Sequence, residues 1–356
     1  MNTKRTLSLL LALMLLFSLV ACSKTTGGTQ TGQNGTTGQN GSESNGTGST
    51  GDTQPASVTN LKFNFVKSSS DPEYEWYDKY FNDIAEASGG TITYDLYPSE
   101  GLGPSADMLE AASQGEAVVV DCDTSYLANY VPDWGATMAP YLIQTPEQIE
   151  KLWKSDVGQE LCAALEAKGL HLIDLHYFGT RNLICNTRVT SRDEIGKVKI
   201  RCAPTAGWNE VVRVLGGNAV NTAWSETYQA LSSGVADGAE SPYALLYSAK
   251  LYEPCKFIIK TEHLVAATAI VMSQTVYENL PEQARKAIDE VGGAYPEKAI
   301  ALAKGVEQEY IDKLTAEGVE IVEIDKTDFI AAAQDTPKYF PEWTEGMYER
   351  IQAALS

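Results

Sequence analysis

The sequence has few of the residues on which most enzyme and metal sites depend. It holds only 3 histidines, His171, His176 and His263, and their spacing is not that of zinc ligands. It lacks a Gly-x-Ser-x-Gly elbow, a Gly-rich phosphate loop followed by Lys-Ser/Thr, and a dinucleotide fingerprint. We therefore expect no bound metal, no cofactor and no catalytic site.

Basic side chains are scarce relative to acidic ones. The chain has 27 Lys and Arg against 47 Asp and Glu, for a formal net charge of −20. Such a chain repels polyanions, so we expect no nucleic-acid partner. Against this background, an arginine that faces inward becomes a candidate site for a small anion.

Cysteine is sparse as well, with 6 residues and no Cys-x-x-Cys pair. Apart from Cys22, they fall in a segment large enough to fold without a disulfide framework. Cys185 and Cys202 would pair if they lay on neighbouring strands, and otherwise they are small buried side chains. The sequence leaves both possibilities open.

The longest apolar run, Leu7–Leu19, follows a short basic start and is shorter than the roughly 20 residues of a membrane-spanning helix. It ends in small residues ahead of Cys22, and this tetrapeptide resembles a bacterial lipobox. We predict a signal peptide over residues 1–21, cleavage before Cys22 and lipidation of its sulfur. The alternative is a plain signal peptide with an incidental cysteine.

Residues 22–57 combine the lipidated cysteine with a tract of Gly, Thr, Ser, Gln and Asn that contains a near-repeat of Thr-Gly-Gln-Asn-Gly. Such a tract cannot bury enough apolar surface to offset the entropy of ordering. We predict a flexible linker that spans about 33 Å and holds a folded domain outside the cytoplasm, anchored to a bacterial membrane.

From residue 58 onward, strand-like and helix-like segments alternate. The predicted strands are 61–66, 91–97, 117–120, 170–175, 198–201, 219–222 and 235–239. The predicted helices are 73–87, 106–113, 147–154, 208–215, 226–231 and a long region at 282–316. Alternation in two successive series indicates an α/β fold with two lobes and a mainly parallel sheet.

Short motifs in a fixed order carry a resemblance over residues 58–350. They are Tyr97-Pro98, Gly101-Leu102-Gly103, Ala139-Pro140-Tyr141-Leu142, Gly179-Thr180-Arg181, Lys199-Ile200-Arg201, the segment 224–231, Gly234 to Gly238, and Glu240-Ser241-Pro242. In this order they resemble the solute-binding proteins of TRAP transporters, the type that binds dicarboxylates and sialic acid.

The resemblance implies a periplasmic-binding-protein-like fold with the ligand in a cleft between two lobes and a long helix that crosses both. Lobe 1 would comprise residues 58–178 and 267–306, and lobe 2 residues 179–266 and 307–356. The implied function is capture of a small organic acid and its delivery to the integral membrane subunits of a transporter.

Arg201 occupies the family's position for the main ion pair with the ligand carboxylate. A planar guanidinium offers paired donors that match the two oxygens of a carboxylate. By resemblance, Arg181 is a second arginine near the ligand, Asp123 an acidic residue on the lobe 1 side, and Trp224 and Trp208 pocket walls. The alternatives are salt bridges for the arginines and core packing for the tryptophans.

At one position the sequence departs from the family pattern, because Ser241 stands where the family commonly has a ligand-binding Asn. A hydroxyl cannot act as an amide donor and acceptor, so a typical dicarboxylate or sialic acid becomes doubtful. With Tyr243 and the two tryptophans, the change favours a bulkier or aromatic monocarboxylate.

Two other functions remain open at the level of the sequence. The same lobes would serve equally as the ligand-binding module of a sensory system. An extracellular enzyme is the third possibility, because Asp121 and Asp123 lie two residues apart and would face one side of a strand as a carboxylate pair. The scarcity of histidine weighs against it.

Overall fold

The computed structural model describes residues 57–356. The predicted signal peptide, the lipidation of Cys22 and all of the linker except Ser57 lie outside the described residues. Within residues 57–356, no helix is both long and apolar enough to span a bilayer.

The described strands form one nine-stranded sheet in the order β2-β1-β3-β8-β4-β7-β5-β6, with β9 paired to β8. They are β1 (Thr59–Asn64), β2 (Ile92–Tyr97), β3 (Val118–Asp123), β4 (Leu170–Cys185), β5 (Lys199–Cys202), β6 (Asn218–Asn221), β7 (Gly238–Ser241), β8 (Phe257–Ser273) and β9 (Glu320–Val322). The sheet is mixed rather than mainly parallel, because β4 and β8 pair antiparallel with each other and with β7 and β3.

Helices alternate with the strands along the chain and pack against them. They are α1 (Glu73–Ala87), α2 (Ser105–Ser113), α3 (Thr124–Leu127), α4 (Glu147–Lys154), α5 (Asp156–Glu166), α6 (Arg192–Ile195), α7 (Ala206–Leu215), α8 (Thr227–Ser232), α9 (Tyr243–Ser248), α10 (Gln274–Asn279), α11 (Glu282–Ala316), α12 (Thr327–Ala333) and α13 (Met347–Leu355). Short 3-10 helices cover Pro132–Met138, Trp224–Glu226 and Thr336–Tyr339. The predicted bounds of α1, α4 and α11 are confirmed.

Two lobes share this sheet, and we name them by their strands. The first lobe is built around β1–β3 and holds a core rich in aromatic side chains, including Phe63, Tyr77 and Phe81. The second lobe is built around β5–β7, and part of its core is a separate cluster that includes Leu246 and Ile258. The long strands β4 and β8 pass through both lobes and therefore join them.

The helix α11 also belongs to both lobes. Its Tyr295 lies in the first-lobe core, and its Tyr310 lies in the second-lobe cluster. Pro296 and the preceding glycines do not interrupt it, although proline and glycine in a helix interior usually weaken a helix. Gly292 instead allows close packing, because a Cβ there would lie 2.5 Å from a carbonyl oxygen of β4. A long helix that crosses both lobes is thus present.

The C-terminal helix α13 packs against α4 and α5 rather than only on the second lobe. One contact that fixes it is the hydrogen bond from the Gln148 side-chain amide to the Leu355 carbonyl at 2.9 Å. In the lobe boundaries predicted from the sequence, these two residues belong to different lobes. The residue boundaries of the lobes stay a prediction.

The possibility that Cys185 and Cys202 lie on neighbouring strands is wrong. Cys185 ends β4 and Cys202 ends β5, and β7 lies between these strands in the sheet. All five cysteines of the described residues are free. Cys185 and Cys202 are buried, as expected for small apolar side chains.

Candidate ligand-binding site

A cavity lies between the lobes, next to the carboxyl ends of β3 and β5. It contains about 570 Å³ of atom-free space, part of it open to solvent, which suits a small organic ligand. Its charged lining comes from Glu100, Asp121, Asp123, Arg181, Arg201 and Glu240, and its aromatic lining from Tyr126, Phe178, Trp208 and Trp224. The predicted residues Arg201, Arg181, Trp224, Asp123 and Trp208 therefore meet in one place.

Arg201 is the next-to-last residue of β5 and is only 3 % exposed. Its Nη2 donates to the Thr222 carbonyl at 2.6 Å, and its Nε lies 3.3 Å from the Thr222 hydroxyl. Its guanidinium carbon lies 5.4 Å from the Trp224 ring centroid. Among residues 57–356, no carboxylate lies within salt-bridge distance of it, and burial lowers its pKa. Arg201 is thus a buried cation without an anionic partner.

Arg181, four residues before the end of β4, differs from Arg201 because it is paired with a carboxylate. Its Nε and Nη2 donate to the two carboxylate oxygens of Glu240 at 2.5 and 2.9 Å, and Nη2 also donates to the Glu240 carbonyl. His263 lies against the same carboxylate, with Nε2 3.4 Å from an oxygen. Burial opposes ionisation of Glu240, yet Arg181 and His263 lower the pKa of its carboxyl to about 2. The alternative foreseen for Arg181, pairing with an acid, is present.

Trp208 and Asp123 connect the lobes across the cavity. Asp123 ends β3 and caps α3 by accepting from the Ser125 amide at 3.0 Å. Its other oxygen accepts from the Trp208 indole N–H at 3.0 Å. The Trp208 ring in turn lies 4.6 Å from the guanidinium carbon of Arg181. Burial raises the pKa of Asp123, and the hydrogen bonds from Ser125 and Trp208 oppose that rise.

An irregular segment of β4 holds Phe178 and Arg181, which line the cavity. The pairing of β4 with β8 shifts register at both ends of this segment, between Tyr177 and Gly179 and again after Arg181. Gly179 has φ of +141°, and a Cβ there would lie 2.6 Å from Pro242 side-chain atoms. Only glycine fits this close approach, which explains the Gly-Thr-Arg motif.

Ser241 and Tyr243 lie outside this cavity. Successive residues of a strand face opposite sides, and Glu240 is the residue of β7 that lines the cavity. The Ser241 hydroxyl is buried and has no hydrogen-bond partner among the described residues. Tyr243 begins α9 and lines a smaller cavity with Gly179 and Pro242. The structure does not bring either residue together with Arg201.

Sequence reasoning missed four of the charged and aromatic lining residues, namely Glu100, Tyr126, Phe178 and Glu240. Glu240 lies within the Glu-Ser-Pro motif, but this motif was interpreted only through Ser241, the residue that departs from the family pattern. Glu100 lies between the Tyr97-Pro98 and Gly101-Leu102-Gly103 motifs, and this position was the signal that could have found it. Asp121 lines the cavity too, but it accepts hydrogen bonds from Tyr77 at 2.5 Å and Thr268 at 2.7 Å.

The two lobes, the shared long strands and the cavity between them define the chain as a two-lobed solute-binding protein. The model of the bacterial extracellular solute-binding protein family 7 matches residues 63–343, and the chain belongs to this family, whose members serve TRAP transporters. Members of this family are periplasmic solute-binding proteins rather than enzymes.

Relatives with names and solved structures agree with this assignment. The sialic acid-binding periplasmic protein SiaP of Vibrio cholerae is 26% identical over 80% of this chain and 88% of its own length. A TRAP periplasmic solute-binding protein from Ochrobacterium anthropi with bound L-fuconate has a TM-score of 0.80 and 31% identity, over 85% of this chain and 100% of its own. One from Actinobacillus succinogenes with bound L-galactonate has a TM-score of 0.80 and 27% identity, over 83% and 99%.

Proposed function

We propose that this protein captures a small organic acid through an ion pair between Arg201 and the ligand carboxylate. The observation that carries the proposal is the buried guanidinium of Arg201, which lines the cavity and has no carboxylate partner among the described residues. A buried charge without a counterion is costly, so an anion that enters the cavity gains more there than at an exposed arginine.

The geometry of Arg201 supports a carboxylate in particular. Thr222 accepts hydrogen bonds from Nε and Nη2 of Arg201. Nη1 donates no hydrogen bond to any of the described residues, so it is available to a ligand. Thr222 also fixes the plane of the guanidinium, which reduces the entropy lost on binding. The Trp224 ring beside it supplies an apolar surface for the carbon skeleton of the ligand.

Sugar acids are the first candidates, because structures of relatives at 31% and 27% identity hold L-fuconate and L-galactonate. A bulkier or aromatic monocarboxylate is the alternative, supported by the tryptophan and tyrosine rings of the lining. Catalysis does not enter this proposal: Asp121, which could have formed a carboxylate pair with Asp123, is held by Tyr77 and Thr268.

Delivery of the bound acid to the integral membrane subunits of a TRAP transporter completes the proposed function. Family membership supports it. A lipid on Cys22 and the linker that follows would keep the domain near those subunits, consistent with a periplasmic or outer-face location. Globomycin, which blocks removal of lipoprotein signal peptides, would leave the chain unprocessed in cells if this anchor is present.

A ligand screen on the full chain tests the carboxylate assignment. A ligand at 100 times its Kd stabilises the folded state by about 2.7 kcal/mol, which raises the melting temperature by several degrees. We expect this for L-fuconate, L-galactonate or a related acid, and about a 100-fold loss of affinity in Arg201→Met, as for truncating one partner of a buried ion pair.

The matched control is Arg188→Met, which removes an arginine that is half exposed and paired with Glu320. It should bind as tightly as the wild type. If no carboxylate raises the melting temperature, or if Arg201→Met binds the acid as tightly as Arg188→Met does, the proposal is wrong.

A further inference from the structure

Glu100 is a carboxylate of the first lobe that lines the cavity and reaches the second lobe. One of its oxygens accepts from the Ser105 amide at 3.0 Å and the Ser105 hydroxyl at 3.1 Å. The other accepts from the Ser225 amide at 3.1 Å. Glu100 is 8 % exposed and has φ of +56°, an unfavourable conformation for a residue with a side chain. Its carboxylate is therefore held in place before any ligand enters.

Glu100 lacks a cation. Within the described residues it forms no salt bridge with a lysine or arginine nitrogen. Its hydrogen-bond donors are the serine groups alone. An ionised carboxylate has about four acceptor positions, and these serine contacts fill three. The carboxylate thus keeps one acceptor position, and it has its negative charge at the wall of the cavity.

Asp123, another carboxylate of the first lobe that lines the cavity, is also held by uncharged donors. Asp123 accepts from the Ser125 amide and hydroxyl and from the Trp208 indole, all of them uncharged donors. In the second lobe, Glu240 already neutralises Arg181. Arg201 is left as the one lining cation without a carboxylate partner within residues 57–356. The lining of the cavity therefore combines one cation that has no carboxylate partner with carboxylates that are held by uncharged donors.

We propose that Glu100 is a specificity-determining residue, which admits monocarboxylates that carry a hydroxyl or ammonium donor and rejects dicarboxylates. This inference rests on the proposed function, in which Arg201 binds the single carboxylate. The donor at the far end of the ligand fills the remaining acceptor position of Glu100. A second carboxylate would instead meet Glu100 and Asp123 without a cation to balance it.

Four six-carbon acids test this on the full chain by isothermal titration calorimetry. Gluconate carries hydroxyls, 6-aminohexanoate carries an ammonium group, hexanoate carries no donor, and adipate carries a second carboxylate. Wild-type protein should bind the better of the first two about 10-fold more tightly than hexanoate and about 100-fold more tightly than adipate. Which of the first two binds better distinguishes the hydroxyl from the ammonium donor.

The variant Glu100→Gln removes the charge and keeps the size of the side chain. It should reduce the ratio of the affinities for the donor-bearing acid and for adipate at least 10-fold. The control Glu116→Gln, at an exposed acid, should leave this ratio unchanged. A purely structural role of Glu100 would weaken all four acids together and leave their ratios as they are. If Glu100→Gln does not fold, the wild-type ranking alone decides.

The inference is overturned if adipate binds wild-type protein as tightly as the donor-bearing acids, or if Glu100→Gln leaves the ratios within two-fold. That outcome is distinct from failure of the proposed function. In the latter case Arg201→Met would bind the acids as well as wild type does, or no carboxylate at all, L-fuconate and L-galactonate included, would bind, which would overturn both.

Discussion

Arg181 and Arg201 line the same cavity from neighbouring parts of the sheet, but their charges are compensated differently. Arg181 forms a two-pronged salt bridge with Glu240, and Trp208 covers its face. Arg201 has only uncharged partners, the Thr222 carbonyl and hydroxyl. Both are buried, at 6 and 3 % exposure, so burial alone does not distinguish them.

The difference separates a structural role from a binding role. A buried guanidinium whose carboxylate is built into the protein has its electrostatic partner in the free state, so a ligand gains little from it. A buried guanidinium with uncharged partners keeps its attraction for an anion until one arrives. Arg181 therefore stabilises the contact between β4 and β7, and Arg201 remains available to bind the ligand carboxylate.

The largest effect is expected when Arg181 is removed. Arg181→Met leaves the Glu240 carboxylate buried, with the His263 imidazole, whose pKa is lowered by burial, as its remaining close side-chain neighbour, and breaking a buried pair in this way costs about 3–5 kcal/mol. Urea unfolding of the free protein measures the loss. The double variant Arg181→Met/Glu240→Leu removes both charges and should recover most of it. A loss below about 1 kcal/mol in the single variant would contradict the structural role.

Acid should weaken the salt bridge between Glu240 and Arg181 in a defined pH range. The pKa of Glu240 is lowered from 4.5 to about 2 in the folded protein, so its stabilisation is fully present above pH 4.5. That stabilisation is lost as the pH falls from 4.5 toward 2, because the unfolded chain binds a proton that the folded chain does not.

Comparison with Glu240→Gln isolates this contribution. At pH 5 the variant should be clearly less stable than the wild type in urea unfolding, and at pH 3 the difference should be smaller. Asp123, whose pKa is raised by burial, is present in both proteins, so its own titration largely cancels in the difference. A difference in unfolding free energy that is the same at both pH values would mean that Glu240 is not the group responsible.

Much of the fold follows from local sequence signals. The bounds of α1 follow from the spacing of its aromatic residues, those of α4 from the proline that precedes it, and those of α11 from its long helix-like pattern. The structure has the same bounds. By contrast, β8 was not predicted, and the prediction of β4 stops ten residues short, at residue 175. Both strands are buried on two faces at the centre of the sheet, so the polar and apolar alternation of an exposed strand is missing.

The candidate site divides in a similar way. Arg201 was predicted because it lies in the Lys-Ile-Arg motif, and Trp208 and Asp123 were predicted from the family positions that they occupy. All three line the cavity. The sequence did not reveal that Glu240 neutralises Arg181, because the two are 59 residues apart and meet only when β7 pairs with β4. It also placed Ser241 at the ligand, although the alternation along β7 gives that side of the strand to Glu240. Pairing across strands, rather than residue type, decides these roles.

The smallest effect on stability is expected at Arg201, and it completes the comparison. Arg201→Met leaves the Thr222 carbonyl without a donor, which costs about 1 kcal/mol, but it also removes a buried charge that has no counterion. The two contributions oppose each other, so the free energy of unfolding without ligand should change by less than about 1 kcal/mol. Urea unfolding without ligand, beside Arg181→Met, measures this, and acid added at 100 times the wild-type Kd should then stabilise the wild type far more than Arg201→Met. A loss at Arg201 as large as the loss at Arg181 would show that Arg201 is part of the framework, and the distinction between the two arginines would fall.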